Sequence, residues 1–159
     1  MNYLKLLSFI LILSSCTQTF YIVRHAEKAD NSNDPELSQA GRNRAVRLEQ
    51  YMADKKLDTV FTSKTKRSEL TGLAVALPQT KPLISLDQTP ETKLNEFIAR
   101  LRKINTNKNI LVVGHTTTIP KIVFDLCGVR INEIGDNEYD NIYIITRSGN
   151  QVSLNHIKY

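Results

Sequence analysis

Short runs of β-branched and aromatic residues alternate with helix-periodic stretches along most of this chain, and that alternation limits the folds open to it. Phe20–Val23 (FYIV), Thr59–Thr62 (TVFT) and Asn109–Val113 (NILVV) read as buried strands, and Leu83–Leu86 as a weaker one. Ser38 is placed to cap a first helix running to about Lys56, with Gly41, Ala45, Leu48 and Met52 on one face. A second helix starts near Lys66, carries Leu70, Leu73, Ala74 and Leu77 as an apolar stripe, and stops at Pro78. Pro90 fits the first turn of a third, whose Leu94, Phe97, Ile98 and Leu101 repeat the stripe. Thr117 or Thr118 caps a fourth, with Pro120 tolerated in its first turn, Ile119, Ile122, Val123 and Leu126 facing inward, and Gly128 at its end. Asn141–Thr146 and Gln151–Ile157 flank Arg147-Ser148-Gly149-Asn150 and read as a hairpin or edge strands. The expectation is an α/β fold: a three-layer α/β/α sandwich with a mainly parallel sheet.

The first fifteen residues fall outside that pattern. One lysine in Met1–Lys5 precedes the apolar run Leu6–Leu13, too short to span a bilayer and suited to the hydrophobic region of an export signal. Leu13-Ser14-Ser15-Cys16 follows and resembles a bacterial lipobox, which implies cleavage before Cys16 and lipidation of its thiol. The boundaries expected are a signal peptide over 1–15, a lipidated N-terminus with a short linker over 16–18, and a folded domain over 19–159. Cys127 is then left without a disulfide partner and reads as a small core residue. An acylated chain would be held at a membrane, so the expected address is the cell envelope. The net charge of +5 admits anionic partners. Its basic runs (Lys64, Lys66, Arg67; Arg100, Arg102, Lys103) lack interleaved aromatics, and with no tryptophan in the chain nucleic acid is not an expected partner.

Two strands end in histidines, His25 after Arg24 and His115 after Gly114. If both strands are parallel, both imidazoles emerge at one sheet edge, where ligands of open α/β sheets bind. Arg67, at the start of the second helix, emerges there too. Two arginines and two histidines with few carboxylates make a poor resting arrangement unless an anion is to be bound. The planar guanidinium fork suits phosphate oxygens, and a helix start adds amide donors. The chemistry this suits is phosphoryl transfer. His156, in the last strand, reads as structural.

These residues resemble the motifs of the histidine phosphatase superfamily, with its phosphoglycerate mutase-like fold. Arg24-His25-Ala26-Glu27 is similar to the signature usually written Arg-His-Gly, with Ala26 in the glycine position as in small phosphohistidine phosphatases. Leu37-Ser38, Gly41 and Ala45 look like its first helix start; Thr62-Ser63, Arg67 and Thr71 like its second arginine motif; Val112-Val113-Gly114-His115 like its second histidine motif. The resemblance implies that His25 is the nucleophile, forming a phosphohistidine that water hydrolyses, while Arg24, Arg67 and His115 hold the phosphoryl oxygens. It implies no cofactor and no metal. The chain departs from the family over the acid that protonates the leaving group: Asp87 and Glu91 follow the third strand outside any recognisable motif, and Glu27 is a further candidate. Asp87 and Glu27 are the candidate acids.

No insertion long enough to build a lid is present, which favours a large or surface-presented substrate and disfavours a mutase. An exported enzyme would meet phosphorylated envelope sugars, lipid head groups or scavenged phosphoesters. Two other readings remain: a phosphate-binding lipoprotein without turnover, and a metal hydrolase using His25, His115 and a carboxylate.

Overall fold

The computed structural model describes residues 17–105 and 107–159; the expected signal peptide over 1–15 and Cys16 fall outside the described residues. The elements run β1 (Thr17–Arg24), α1 (Gln39–Met52), β2 (Thr59–Ser63), α2 (Lys66–Ala76), β3 (Leu83–Leu86), α3 (Glu91–Arg102), β4 (Asn109–Gly114), α4 (Ile119–Cys127), β5 (Asn141–Ser148) and β6 (Gln151–Lys158). They build one six-stranded sheet in the order β3-β2-β4-β1-β5-β6. The strands β3, β2, β4 and β1 are parallel neighbours, and β5 and β6 close the other side as an antiparallel hairpin.

Alternate residues of each strand supply the two cores, as a pleated strand requires. Phe20, Ile22, Ile110 and Val112 face Leu94, Phe97, Ile98 and Leu101 of α3 and Ile119, Ile122, Val123 and Leu126 of α4. Tyr21, Val23, Leu111 and Val113 face Leu48 and Met52 of α1 and Val75 and Ala76 of α2. The result is the three-layer α/β/α sandwich read from the sequence, with α1 and α2 on one face of the sheet and α3 and α4 on the other.

Three local expectations need correction. β1 begins at Thr17, so residues 17 and 18 belong to the sheet rather than to a linker. The reason is Gln18, only 2% exposed, whose amide donates to the Ile104 and Asn105 carbonyls. α1 stops at Met52 rather than near Lys56, and Lys56 turns the chain with a positive φ of 48°.

The third correction concerns α2. Leu70, Leu73 and Leu77 are exposed, at 38, 38 and 66%, while Ser68, Thr71, Gly72, Val75 and Ala76 face the sheet. Close approach decides the rotation: a Cβ on Gly72 would stand 2.5 Å from Thr62 Cγ2. Thr71 also has a polar task, since its hydroxyl accepts from the Ala26 amide at 3.0 Å and donates to the Arg67 carbonyl at 2.7 Å. A larger apolar face gave way to small residues that let the helix lie against β2 and brace the chain after β1.

Candidate active site

Register places the histidines. β1 and β4 are parallel, with Arg24 opposite Gly114, and the ladder runs one bond further as the His25 amide donates to the Gly114 carbonyl at 3.0 Å. His25 and His115 therefore leave adjacent strands side by side, ring centroids 5.1 Å apart and edge to face. β2 lies on the other side of β4, and α2 follows it immediately. That connection carries Arg67 back across the strand ends, where its Nε donates to His25 Nε2 at 3.1 Å.

The hydrogen bonds fix which nitrogen of His25 carries the proton. Nδ1 lies 2.8 Å from the Ala26 carbonyl, which can only accept, so Nδ1 carries the proton. Nε2 then holds the lone pair, and Arg67 donates into it. Burial first, and then the neighbouring His115 and Arg67, push the His25 pKa down to about 3 against the pull of the Ala26 carbonyl. Burial, then Arg67 and Arg24, push that of His115 down to about 4. Both imidazoles are neutral at pH 7. His115 Nε2 sits 2.7 Å from the Ser63 hydroxyl, itself 2.7 Å from Ser68 Oγ, so a buried hydroxyl pair orients the second ring.

Arg24 has a double role. Its Nη1 donates to the carbonyls of Gly135, Asp136 and Glu138 at 3.0, 2.7 and 3.3 Å, and its Cζ stacks 3.9 Å over the Tyr139 ring. One side of the guanidinium thus clamps the loop before β5, while buried Nε has no partner among the described residues and the residue still lines the cleft. The cleft is about 450 Å³ in volume, and Arg24, Arg67, Lys28 and Lys64 line it against one carboxylate, Asp87.

The structure brings Arg24, His25, Arg67 and His115 together and leaves the two possible acids elsewhere or otherwise engaged. Glu27 points to α1 and pairs with Arg44 Nη2 at 2.7 Å; burial raises its pKa, and the Arg44 hydrogen bond, its own backbone amide and the charges of Arg44 and Arg47 together outweigh that, leaving it below the ordinary value. The chain comes this close to α1 because residue 41 is glycine: a Cβ there would stand 2.2 Å from the Glu27 carbonyl oxygen. Asp87 reaches the cleft rim, but its Oδ1 accepts from the Thr89 amide at 2.9 Å and hydroxyl at 3.1 Å, and the amide hydrogen bond holds its carboxyl below the usual range. Among the described residues no three His, Cys, Asp or Glu side chains gather as a metal site.

Sequence reasoning missed Gln88 and Tyr139. Tyr139 stacks on Arg24 from a loop that no spacing links to β1. Gln88 is buried against Thr118, which stands at the N-cap of α4 as expected but makes no capping side-chain bond: its hydroxyl accepts from the His115 amide at 3.0 Å and lies 3.1 Å from Gln88 Oε1.

The lowered imidazoles make stability depend on pH. Their folded-state values lie below the ordinary 6.5, so the unfolded chain binds more protons between them. Their contribution is complete above pH 6.5 and is lost as the pH falls towards 4, by about 1.4 kcal/mol per pH unit for each ring. Denaturant midpoints measured from pH 7 to 5 should fall steadily; a flat profile would contradict the burial of neutral rings.

The model of the histidine phosphatase superfamily (branch 1) matches residues 20–97. The chain is 23% identical to phosphoserine phosphatase 1 of Hydrogenobacter thermophilus, over 76% of this chain and 81% of that protein. In fold it is similar to a protein assigned as the phosphohistidine phosphatase SixA from Nakamurella multipartitia, with a TM-score of 0.69, 18% identity, and 90 and 96% of the two chains covered. It is also similar to a phosphoserine phosphatase variant from Entamoeba histolytica in complex with phosphoserine, at a TM-score of 0.65, 16% identity and 86 and 94% coverage.

Proposed function

Since the chain belongs to the histidine phosphatase superfamily and is a phosphatase, we propose that it works through a phosphohistidine on His25, at the cell envelope. The observation that carries this is the state of His25: neutral, protonated on Nδ1 by its bond to Ala26, with the Nε2 lone pair turned to the Arg67 guanidinium in a cationic cleft.

The Arg67 contact holds the place of the incoming phosphoryl group. When that group arrives, the Nε donor turns from His25 to a phosphoryl oxygen, and Nε2 is released in line with phosphorus. Arg67, the free edge of Arg24 and the His115 imidazole then hold the equatorial oxygens as charge develops on them. The same rings and guanidiniums hold the phosphoenzyme while water attacks. The substrates this reading admits are phosphoesters, phosphoanhydrides and phosphoramidates, and no residue of the constellation calls for a metal.

Envelope location is supported by the apolar run Leu6–Leu13 and the Leu-Ser-Ser-Cys sequence ending at Cys16. Lipidation there would leave no tether, because β1 begins at the next residue. The eight residues of β1 would put the anchor about 25 Å from the His25 edge, at the opposite end of the strand. The cleft would then open away from its own membrane, which favours phosphates from the aqueous compartment over lipid head groups.

The test uses the full chain expressed in a bacterium that processes lipoproteins. Membrane-bound, labelled-palmitate-positive protein that releases phosphate from an aryl phosphate in the presence of a chelator is the expected result. Protein that binds vanadate without turnover would support a phosphate receptor instead. Unchanged fractionation of Cys16→Ser would remove the anchor.

A further inference from the structure

We propose that Gln88, rather than a carboxylic acid, meets the leaving group, and that the substrate is therefore an activated phosphate: an aryl, enol or acyl phosphate or a phosphoanhydride. This rests on the reading of His25 as nucleophile.

Gln88 follows β3, lines the cleft and is only 3% exposed. Its amide is oriented by its neighbours. The Thr118 hydroxyl accepts from the His115 backbone N–H, so its one proton is free to be donated, and Gln88 Oε1 at 3.1 Å is a nearer acceptor than the His115 carbonyl at 3.4 Å. The other end of the amide, Nε2 with both its protons, is buried and has no partner among the described residues. A buried donor without an acceptor is a cost that folding seldom tolerates. In a cleft lined by two arginines and two lysines, the acceptor that would satisfy it belongs to an anionic ligand.

The carboxylates around the cleft are committed elsewhere. Asp87 closes a turn onto Thr89, and Glu27 is paired with Arg44. Asp34 accepts from the Lys66 amide at 2.9 Å, capping the first turn of α2, and lies 3.8 Å from Arg67 Nη1. Donors hold Asp87 and Glu27 as anions, which is the wrong state for a general acid, while Asp34 is turned to the start of α2. An amide can hydrogen-bond an oxygen that gains charge but cannot give it a proton.

The consequence is a restriction on what can leave. The Nε2 lone pair of His25 forms a bond to phosphorus while the bond from phosphorus to the leaving oxygen breaks. That bond's electron pair departs with the oxygen, which takes a hydrogen bond from Gln88 and no proton. Water then attacks phosphorus, the N–P pair returns to Nε2, and the oxygen and both protons of the water go to the phosphate, which ionises according to the pH. Phenolate, enolate, carboxylate and phosphate can leave in this way, whereas an alkoxide cannot leave at a useful rate.

The test is a plot of log kcat/KM against leaving-group pKa, because kcat/KM reports the first bond cleavage even if water attack limits kcat. The probes are phenyl phosphates of graded acidity, acetyl phosphate, diphosphate and glycerol phosphate. Wild type is expected to show a steep decline, with glycerol phosphate at least about 10³-fold slower than nitrophenyl phosphate. Gln88→Leu should lose about tenfold across the aryl series. Gln88→Glu should flatten the slope and give glycerol phosphate turnover at mildly acidic pH. Asp87→Asn and Asp34→Asn should leave the slope alone. A shallow slope in wild type, or one that steepens in either aspartate variant, would overturn the proposal and identify a carboxylic acid as donor. Gln88→Leu indistinguishable from wild type at equal thermal stability would also overturn it. Failure of the underlying reading looks different: phosphate release would then survive in His25→Ala whatever the slope.

Discussion

His25→Ala is expected to lower kcat/KM for every accepted phosphate by about 10³-fold or more, at equal or higher protein stability. The size follows from what is removed. His25 is the cleft imidazole whose Nε2 lone pair is directed by a hydrogen bond on the opposite side of the ring, that of Nδ1 to the Ala26 carbonyl. His115 cannot take over, since its Nε2 is engaged by the Ser63 hydroxyl. The fold should tolerate the change. The ring is 5% exposed and makes its hydrogen bonds to an adjacent carbonyl and to Arg67, and its removal relieves the burial of a titratable group. Added imidazole should restore part of the rate by entering the space left. Activity within tenfold of wild type would mean that another group attacks phosphorus.

Arg67→Ala is expected to cost about 10² to 10³-fold in kcat/KM, most of it in kcat. The guanidinium donates to Nε2 of the proposed nucleophile and lines the cleft in which the phosphoryl charge would develop. Arg67→Lys should recover only part of the loss, because an ammonium lacks the Nε–H that reaches His25 and the planar fork that holds two oxygens. The pH profile gives an independent readout. Arg67 is among the charges that hold His25 near 3 and His115 near 4. Without it both values rise, so the acid limb of kcat/KM moves to higher pH once ionisation of the substrate phosphate is divided out. A rate loss with an unmoved acid limb would assign Arg67 to binding alone.

The layered fold was legible because periodicity is local. FYIV, TVFT and NILVV announce strands, and the stripes of α3 and α4 face the core as their spacing requires. The stripe of α2 misled because the side of that helix facing the sheet is chosen by backbone proximity at Gly72 and by the Thr71 hydrogen bonds, neither of which hydrophobic spacing records. His25, His115 and Arg67 were legible as a group since each follows a strand, and parallel register does the rest. The partners of Arg24 were not, because the carbonyls of Gly135, Asp136 and Glu138 come from an irregular loop more than a hundred residues away. Gln88 was overlooked beside the more suggestive Asp87. Its significance lies in an amide end that no described residue satisfies, and that is visible only once Thr118 is seen to hold the other end.

The most direct measurement is to mix the protein with a rapidly cleaved aryl phosphate, quench in alkali within one turnover, and locate the covalent phosphate by peptide mapping. Phosphate bound to His25, stable to base and lost in acid, is the predicted result. Steady turnover with no phosphoenzyme, or with phosphate on any other residue, would contradict the account.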